Sequence, residues 1–500
     1  MFSARHLTSS NGDDGSELIP KRKELVVLLL LTLGAFLIEG YHPGCEDAEI
    51  YMPGVLKLLH PELFPVGTEF FESHAHMTLF PNLVAASARI AHLPLGGVLL
   101  IWQFASIFLL LLACWQLSGK CFTDMPARWA GVAMVGALLT MPIAGTALYF
   151  MDQYMNPRNV AAFAGMFAIV GVIEKKYIKA GLWLALAGAV HPLMPVFVLS
   201  YCVLLWWMKR AERPVAAMGG LGPLAFSFSK PSAAYHQAMQ NHAFLYLLRW
   251  QWYEWLGLVG PIAILWWFGR LARTKKLHEI DVMCRALVAY ALIFSTVALV
   301  IAIPQRFENL IRLQPTRSLY LVYVLMVLFG GGFLGEYVLK NRVWRWLALF
   351  VPLGVGMLAA QRGLFPASSH IEWPGAAPKN QWAQAFVWIR QNTPTTAMFV
   401  LDPNYVDVPG EDMHGFRAIA QRSMLADATK DGGAVIMFPA LANEWLEQVQ
   451  ARSNWNRFQL QDFRRLQTQY GVTWMVLQQP GIAGLDCPYQ NLAVQVCRLN

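Results

Sequence analysis

The sequence predicts a mostly α, polytopic helical membrane protein that ends in a small extracytoplasmic α/β domain. Three observations predict it. Of 500 residues, 56% are hydrophobic and 14% charged, against roughly 25% charged in an average soluble protein. Apolar runs of membrane-spanning length recur from Leu25 to about Leu358. After Arg362 the polar and charged residues return, and Pro366, Pro374 and Pro378 mark a linker into about 120 residues of mixed helical and strand patterning. A single soluble domain, an intrinsically disordered chain and a disulfide-stapled secreted scaffold are excluded by the same arithmetic.

Residues 1–24 read as a cytoplasmic tail and 25–362 as the membrane domain, with a long first outside loop at 42–94. Spans are expected near 25–41, 96–117, 129–149, 159–173, 178–190, 193–208, 216–229, 256–272, 283–303, 318–338 and 345–361, about eleven helices. The Lys21-Arg22-Lys23 cluster precedes the first span. The next basic clusters, Lys120/Arg128, Lys175/Lys176/Lys179, Lys209/Arg210/Arg213, Arg270/Arg273/Lys275/Lys276 and Lys340/Arg342/Arg345, each follow two spans later. Lys and Arg are retained on the cytoplasmic side of short loops, so the N-terminus is expected inside and everything after Arg362 outside, in an inner (plasma) membrane. The net charge of +8 therefore reads as membrane orientation, and no nucleic-acid partner is expected. The same charge bias splits 178–208 into a hairpin with its tip at His191. The first 23 residues lack the layout of a cleaved signal, so the first span is expected to be a retained anchor.

Residues 363–380 read as the linker and 381–500 as the α/β domain. A helix is expected at Gln381–Gln391, where Trp382, Ala385, Phe386 and Ile389 recur at helical spacing before Thr393-Pro394. Strands are expected at Ala397–Leu401, Ser423–Ala426, Val472–Leu477 and Leu492–Leu499, and helices at Ala440–Gln450 and Leu460–Tyr470. Cys114, Cys202 and Cys284 sit in apolar spans and Cys121 lies on the cytoplasmic side. Cys487 and Cys497 flank a possible hairpin, and a disulfide between them is open if the compartment is oxidising. No CxxC or Cys/His spacing marks a structural zinc site.

The spans are nearly free of ionisable groups: Glu39, Glu174, Arg285 and Glu336 fall at span ends, and His191 is the one clear candidate inside. Polar chemistry gathers instead in the outside loops. Just after the first span, Tyr41-His42-Pro43-Gly44-Cys45-Glu46-Asp47-Ala48-Glu49 holds three carboxylates within four residues. They suit a general base or a divalent-cation site, and equally a solvated acidic turn.

An N-in first helix, an acidic pair with a downstream aromatic, Tyr51, at the head of a long first outside loop, many short spans and a C-terminal α/β domain together resemble the GT-C glycosyltransferase superfamily. Its members are membrane enzymes that take sugars from polyprenyl-phosphate or polyprenyl-diphosphate carriers. Glu46-Asp47 with Glu49 matches in position and type the acidic motif of that superfamily's first outside loop. His42-Pro43 is loosely similar to the HPDE motif of some mannosyltransferases, although Gly44-Cys45 intervene. Trp388-Ile389-Arg390-Gln391-Asn392-Thr393-Pro394 and Gln421-Arg422-Ser423 look like the start of the exported domain that closes many GT-C chains. The WWDYG-type signature of oligosaccharyltransferases is absent, and no subfamily is matched.

The resemblance implies sugar transfer from a polyprenyl-phosphate-linked donor to a glycan, lipid or protein acceptor on the outer face. Asp47 is the expected base, with Glu46 or Glu49 as orienting partner, and Glu46 and Asp47 as ligands of a Mg2+ or Mn2+ ion where one is used. Asp152 and Arg158, in Met151-Asp152-Gln153-Tyr154-Met155-Asn156-Pro157-Arg158, are candidates for the second wall of the site; an Asn-Pro helix cap explains that loop as well. Arg312 and Arg317, near Gln305-Arg306-Phe307-Glu308, are candidates for holding the carrier's phosphate, with lipid headgroups as the alternative. His191 caps the hairpin or lines the cavity. Trp252 and Tyr253, within Arg249-Trp250-Gln251-Trp252-Tyr253-Glu254-Trp255, form an interfacial belt or stack on a sugar. His74 and His76 share a face if their segment is a strand. A non-catalytic envelope-glycan binding or assembly protein is the alternative function; a lipid or glycan transporter is disfavoured by the nearly charge-free spans.

Overall fold

A computed structural model describes residues 20–210, 231–303, 307–482 and 484–499. The expected 216–229 span, Arg213 and the Gln305-Arg306 pair lie outside them. Helix α1 (Arg22–Glu39) buries Leu28, Thr32, Ala35 and Phe36 along one stripe and exposes Leu25, Leu29, Leu33 and Leu37 on the other. An apolar face of that kind, left unpaired by protein, belongs against lipid. The helix stops at Gly40, whose φ of 84° and close approach to the His370 carbonyl, 2.6 Å from where a Cβ would sit, admit no side chain.

The first long loop folds into three short helices, α2 (Ala48–Leu59), α3 (Glu69–Met77) and α4 (Phe80–Ala91). His74 and His76 are therefore on a helix, where positions two apart diverge. His74 is buried and His76 exposed, so they share no face.

Helices α5 (Leu95–Cys121), α6 (Met125–Ala137), α7 (Pro157–Ile173), α8 (Tyr177–Val190) and α9 (Leu193–Arg210) follow. The expected span at 129–149 is not formed, because α6 ends at Ala137. The chain then turns back on itself, with Met151 N donating to the Leu139 carbonyl and Ile143 N to that of Leu148, both at 2.9 Å. Leu139, Ile143, Leu148 and Phe150 are apolar because they fill the protein interior, and irregular backbone at membrane depth is tolerated where protein covers it. The hairpin at His191 is present, between α8 and α9.

Helices α10 (Ala233–Gln240), α11 (Trp252–Thr274), α12 (His278–Ala302), α13 (Glu308–Ile311), α14 (Leu319–Leu334) and α15 (Val343–Leu364) complete the membrane part. Among the described residues, six helical segments are long and apolar enough to cross a membrane: α5, α9, α11, α12, the run Glu308–Leu339 that contains α14, and α15; α7 and α8 are apolar but shorter. Helix α15 exposes Val343, Leu347, Val351 and Val355. The chain is membrane-embedded, with fewer full-length spans among these residues than the eleven expected.

The C-terminal domain opens with α16 (Gln381–Asn392), whose N-cap Asn380 accepts from Trp382 N at 2.8 Å and Ala383 N at 3.2 Å. Then come β1 (Met398–Val400), α17 (Phe416–Ala420), β2 (Ser423–Met424), α18 (Lys430–Met437), α19 (Ala442–Gln450), α20 (Leu460–Tyr470), β3 (Trp474–Gln478), β4 (Asp486–Gln490) and β5 (Val494–Arg498). The sheet order is β2-β1-β3-β5-β4, parallel across β2, β1 and β3 and antiparallel beyond. Phe386, Ile389, Phe399 and Phe416 fill one side, and Phe463, Leu466, Met475 and Leu477 the other. Cys487 on β4 and Cys497 on β5 form a disulfide. Helices α17 and α18 and strand β4 have no counterpart in the sequence reading: α17 and α18 are short, and β4 alternates intermediate and exposed positions without an apolar run.

The domain is docked on the first loop. Gly415 N donates to the Gly44 carbonyl and Glu46 N to that of Met413, both at 2.8 Å, and Ser423 Oγ donates to the Val66 carbonyl at 2.6 Å. This seam positions the site.

Candidate functional site

A cavity of about 360 Å3 lies where the start of α2, the 149–158 loop, the His191 turn, the Pro315–Ser318 turn and α18 converge. Glu46, Asp47, Asp152, Arg158, His191 and Arg317 all line it, so six of the residues singled out in the sequence are gathered in one place.

Asp47 is the N-cap residue of α2, and its backbone N–H donates to the Tyr154 hydroxyl at 3.2 Å. Its Oδ2 accepts from Arg158 Nη1 at 2.8 Å and its Oδ1 from Lys430 Nζ at 3.3 Å. Burial alone would raise the Asp47 carboxyl, but Lys430 and then Arg158 outweigh it and hold it well below the usual carboxylate range. A carboxylate so held is a weak proton acceptor. Glu46, in a left-handed turn at φ 57°, accepts from Lys430 Nζ through its Oε2. Burial pulls the Lys430 ammonium down, and Glu46 and Asp47 together push it well above its ordinary value.

The second wall is built on the N-terminus of α7. Asn156 Oδ1 accepts from Arg158 N at 2.8 Å and Asn159 N at 3.2 Å. The Asn-Pro cap is therefore real, and it serves the site by aiming Arg158 across the cavity. Arg158 Nε and Nη2 donate to Asp152 Oδ2 at 3.1 and 3.0 Å, which also accepts from Asn156 Nδ2 at 2.5 Å. Gln103 Nε2 holds the Asp152 carbonyl at 2.7 Å from below. Arg158 thus bridges Asp47 and Asp152.

Arg317 enters from the Pro315–Ser318 turn, and its Nε is buried without a hydrogen-bond partner. His191 Nδ1 accepts from Met194 N at 3.3 Å, so it caps α9 and lines the cavity at once. His74 lies on the far wall, where burial pushes its imidazole down to about 4 and leaves it neutral.

Four sequence assignments are corrected. Glu49 is fully buried outside the cavity: its Oε1 accepts from Arg417 Nη1 at 3.1 Å and its Oε2 from Arg417 N at 2.7 Å. Helical geometry causes this, because Asp47 and Glu49 sit at the start of α2 and point to different sides. Arg312 is exposed and does not line the cavity, so it does not pair with Arg317. Trp252 and Tyr253 are 74% and 58% exposed at the start of α11, away from the cavity. Glu46 and Asp47 do not fit a divalent ion as arranged, because the Lys430 ammonium contacts both carboxylates.

Lys430 was missed in the sequence. It lies on α18, separated from Glu46 by 384 positions, and nothing local in Thr429-Lys430-Asp431-Gly432-Gly433 marks it. Tyr51, the aromatic downstream of the acidic pair, lines the cavity with them; Tyr154 and His242 line it too and carry no signal beyond being polar residues near apolar runs.

No protein-family model and no curated protein sequence matches the chain. Among solved structures, an archaeal oligosaccharyltransferase AglB from Archaeoglobus fulgidus, in complex with an inhibitory peptide and a dolichol-phosphate, aligns over 91% of this chain and 69% of its own. The TM-score is 0.43 and the identity 13%.

Proposed function

We propose that the chain is a membrane glycosyltransferase of GT-C type that moves a sugar from a polyprenyl-phosphate carrier to a glycan, lipid or protein acceptor, with its site in the cavity on the outer face. One observation carries this reading: Arg158, Arg317 and Lys430 converge with Asp47 and Asp152 in a single cavity bounded by membrane helices and the docked domain. Guanidinium and ammonium groups there suit a phosphate, and the apolar helices beside them suit a prenyl chain.

In the transfer, the acceptor hydroxyl oxygen bonds to the anomeric carbon, and the bond from that carbon to the phosphate oxygen breaks. The carrier phosphate leaves with the electron pair. Arg158, Arg317 and Lys430 stabilise its charge, and the acceptor's proton passes to a carboxylate or to the leaving phosphate. A phosphate that draws Lys430 and Arg158 towards itself restores basicity to Asp47 at the moment a base is needed.

A second reading, a non-catalytic envelope-glycan binding or assembly protein, is favoured by the fact that Asp47, Glu46 and Asp152 each already face a cation.

The test is native mass spectrometry of protein extracted gently from its own membrane. Copurified polyprenyl phosphate is expected in the parent and in Arg312→Ala, and its loss in Arg317→Ala. Asp47→Asn should keep the carrier and abolish glycan transfer. Only bulk phospholipid in the parent would overturn the carrier site, and unchanged glycan output in Asp47→Asn would move the function to the second reading.

A further inference from the structure

Outside the cavity, the seam between the first loop and the C-terminal domain encloses a second cluster of chemistry-bearing side chains. His42, Cys45 and Glu372 each present one ligand atom, and the three atoms lie within 4.8 Å of one another. His42 and Cys45 are fully buried, at 0% exposure. Neither His42 ring nitrogen has a hydrogen-bond partner, although Nδ1 is 3.9 Å from Glu372 Oε1. A buried imidazole with both nitrogens unsatisfied needs an explanation, and a bound cation is one. Cys45 is a free cysteine, and the other described free cysteines, Cys114, Cys121, Cys202 and Cys284, belong to the membrane helices or their ends.

We infer that His42, Cys45 and Glu372 form a binding site for a Zn2+ ion that clamps the first loop to the linker and the C-terminal domain. Imidazole, thiolate and carboxylate together suit a borderline-soft ion and not Mg2+ or Ca2+. A thiolate and a carboxylate neutralise the ion's two charges, which a buried site requires. Tetrahedral zinc holds nitrogen, oxygen and sulfur ligand atoms about 3.4–3.6 Å apart, so the three ligand atoms, which lie within 4.8 Å of one another, with His42 Nδ1 and Glu372 Oε1 3.9 Å apart, draw together on loading.

The outer shell is in place as well. His414 Nε2 contacts Glu372 Oε1 at 3.0 Å, its Nδ1 contacts the Glu411 carbonyl at 2.7 Å, and the His42 ring stacks on Phe365 with centroids 3.9 Å apart. An orienting partner on a ligating carboxylate is a usual companion of a metal site. The backbone already brings the three ligands together: Tyr41 N donates to the His370 carbonyl at 3.0 Å, Glu372 N to that of Tyr41 at 2.9 Å, and Cys45 bridges His414. The clamp would fix the turn that presents Glu46 and Asp47 to the cavity.

The experiment uses the full chain in lipid nanodiscs. Protein is stripped with a chelator, titrated with Zn2+ alone and assayed by elemental mass spectrometry. In parallel it is loaded with Co2+, whose thiolate charge-transfer band in the near ultraviolet reports sulfur ligation. One zinc per chain and a Co2+–thiolate band are expected. Cys45→Ser should lose the band, His42→Ala should lose stoichiometric zinc, and His414→Gln should bind about 10- to 100-fold more weakly. If the stripped parent takes up no zinc, if Co2+ gives no thiolate band, or if folded Cys45→Ser keeps that band, the inference is overturned. The stripping and reloading of the parent decides the question even where a variant fails to fold.

Discussion

Replacing Arg417 by Ala tests whether the acidic residues near the start of α2 divide into one group that faces the cavity and one that holds the domain. Arg417 is 1% exposed and lies between Glu49, at 0%, and Asp431, at 1%. It donates from Nη1 to Asp431 Oδ1 at 3.0 Å, from Nη2 to Oδ2 at 2.8 Å, and from Nη1 to Glu49 at 3.1 Å. Removing one partner of a buried ion pair costs about 3–5 kcal/mol, because the remaining charge is stranded. Burial pushes the Glu49 carboxyl up to about 8, so at neutral pH it already carries a proton and Asp431 is the charge left stranded, and the lower end, about 3 kcal/mol, is expected. Glu49→Gln keeps an oxygen to accept from Arg417 N and leaves the Arg417–Asp431 pair whole, so it should cost only about 1–1.5 kcal/mol. Hydrogen–deuterium exchange of peptides covering 48–59 and 416–437 reads the local opening. At tenfold per 1.4 kcal/mol, exchange there should accelerate about a hundredfold in Arg417→Ala and about tenfold in Glu49→Gln. Equal acceleration in both variants, or none in Arg417→Ala, would refute the argument that this pair holds the domain.

The same seam should respond to pH. Glu49 and Asp427, a buried residue just before α18 whose N–H donates to Asp431 Oδ2 at 2.8 Å, are raised by burial to about 8 and about 7, above their ordinary values of 4.5 and 3.8. The docked state therefore keeps protons that the opened state releases, and this stabilisation is full below about pH 4 and lost as pH rises through about 7 to 8. Exchange at 416–437, corrected for intrinsic rate, should be faster at about pH 8.5 than at about pH 5.5, and Glu49→Gln should flatten the difference. Gly415→Ala should open the seam by about 1–3 kcal/mol, because its Cβ would meet Glu49 Oε2 at 2.6 Å and Glu49 Cβ at 3.0 Å while its φ of −73° suits any residue; thermal unfolding reads it. Trp252→Ala with Tyr253→Ala should leave copurified carrier unchanged in native mass spectrometry, since both rings lie outside the cavity; loss of carrier would return them to the site.

The cavity's charge balance bears on its mechanism. Glu46, Asp47 and Asp152 face Lys430 and Arg158, and Arg317 is the third cation that brings the three carboxylates into balance. An anionic carrier phosphate meets a site whose charges balance, so its arrival has to redistribute cations that otherwise hold the carboxylates.

Local pattern carried much of this protein. The spans at 256–272, 283–303, 318–338 and 345–361 correspond to helical segments of the structure, because apolar length is a local property that lipid reads directly. The His191 hairpin, helices α16, α19 and α20 and strand β5 were legible from proline, capping and periodicity. The 129–149 run misled because the sequence does not distinguish an apolar residue facing lipid from one facing protein: Leu139, Ile143 and Leu148 are buried by a returning loop. At the site, the chain order placed Glu46 and Asp47 at the end of the first span and Asp152 and Arg158 in one later loop, but nothing local joined the two groups.

By itself the sequence determined a membrane-embedded helical chain closed by a small α/β domain, since hydropathy and turn chemistry act over neighbouring residues. Only the tertiary structure decided which charges meet. It sent Asp47 to the cavity and Glu49 to Arg417 through the pitch of one helix, and it brought Lys430 across 384 positions to the acidic turn. It also set His42 and Cys45 beside Glu372, which no spacing along the chain announces. Such pairings depend on how a whole domain docks, and docking is settled by the summed burial and hydrogen bonding of distant segments.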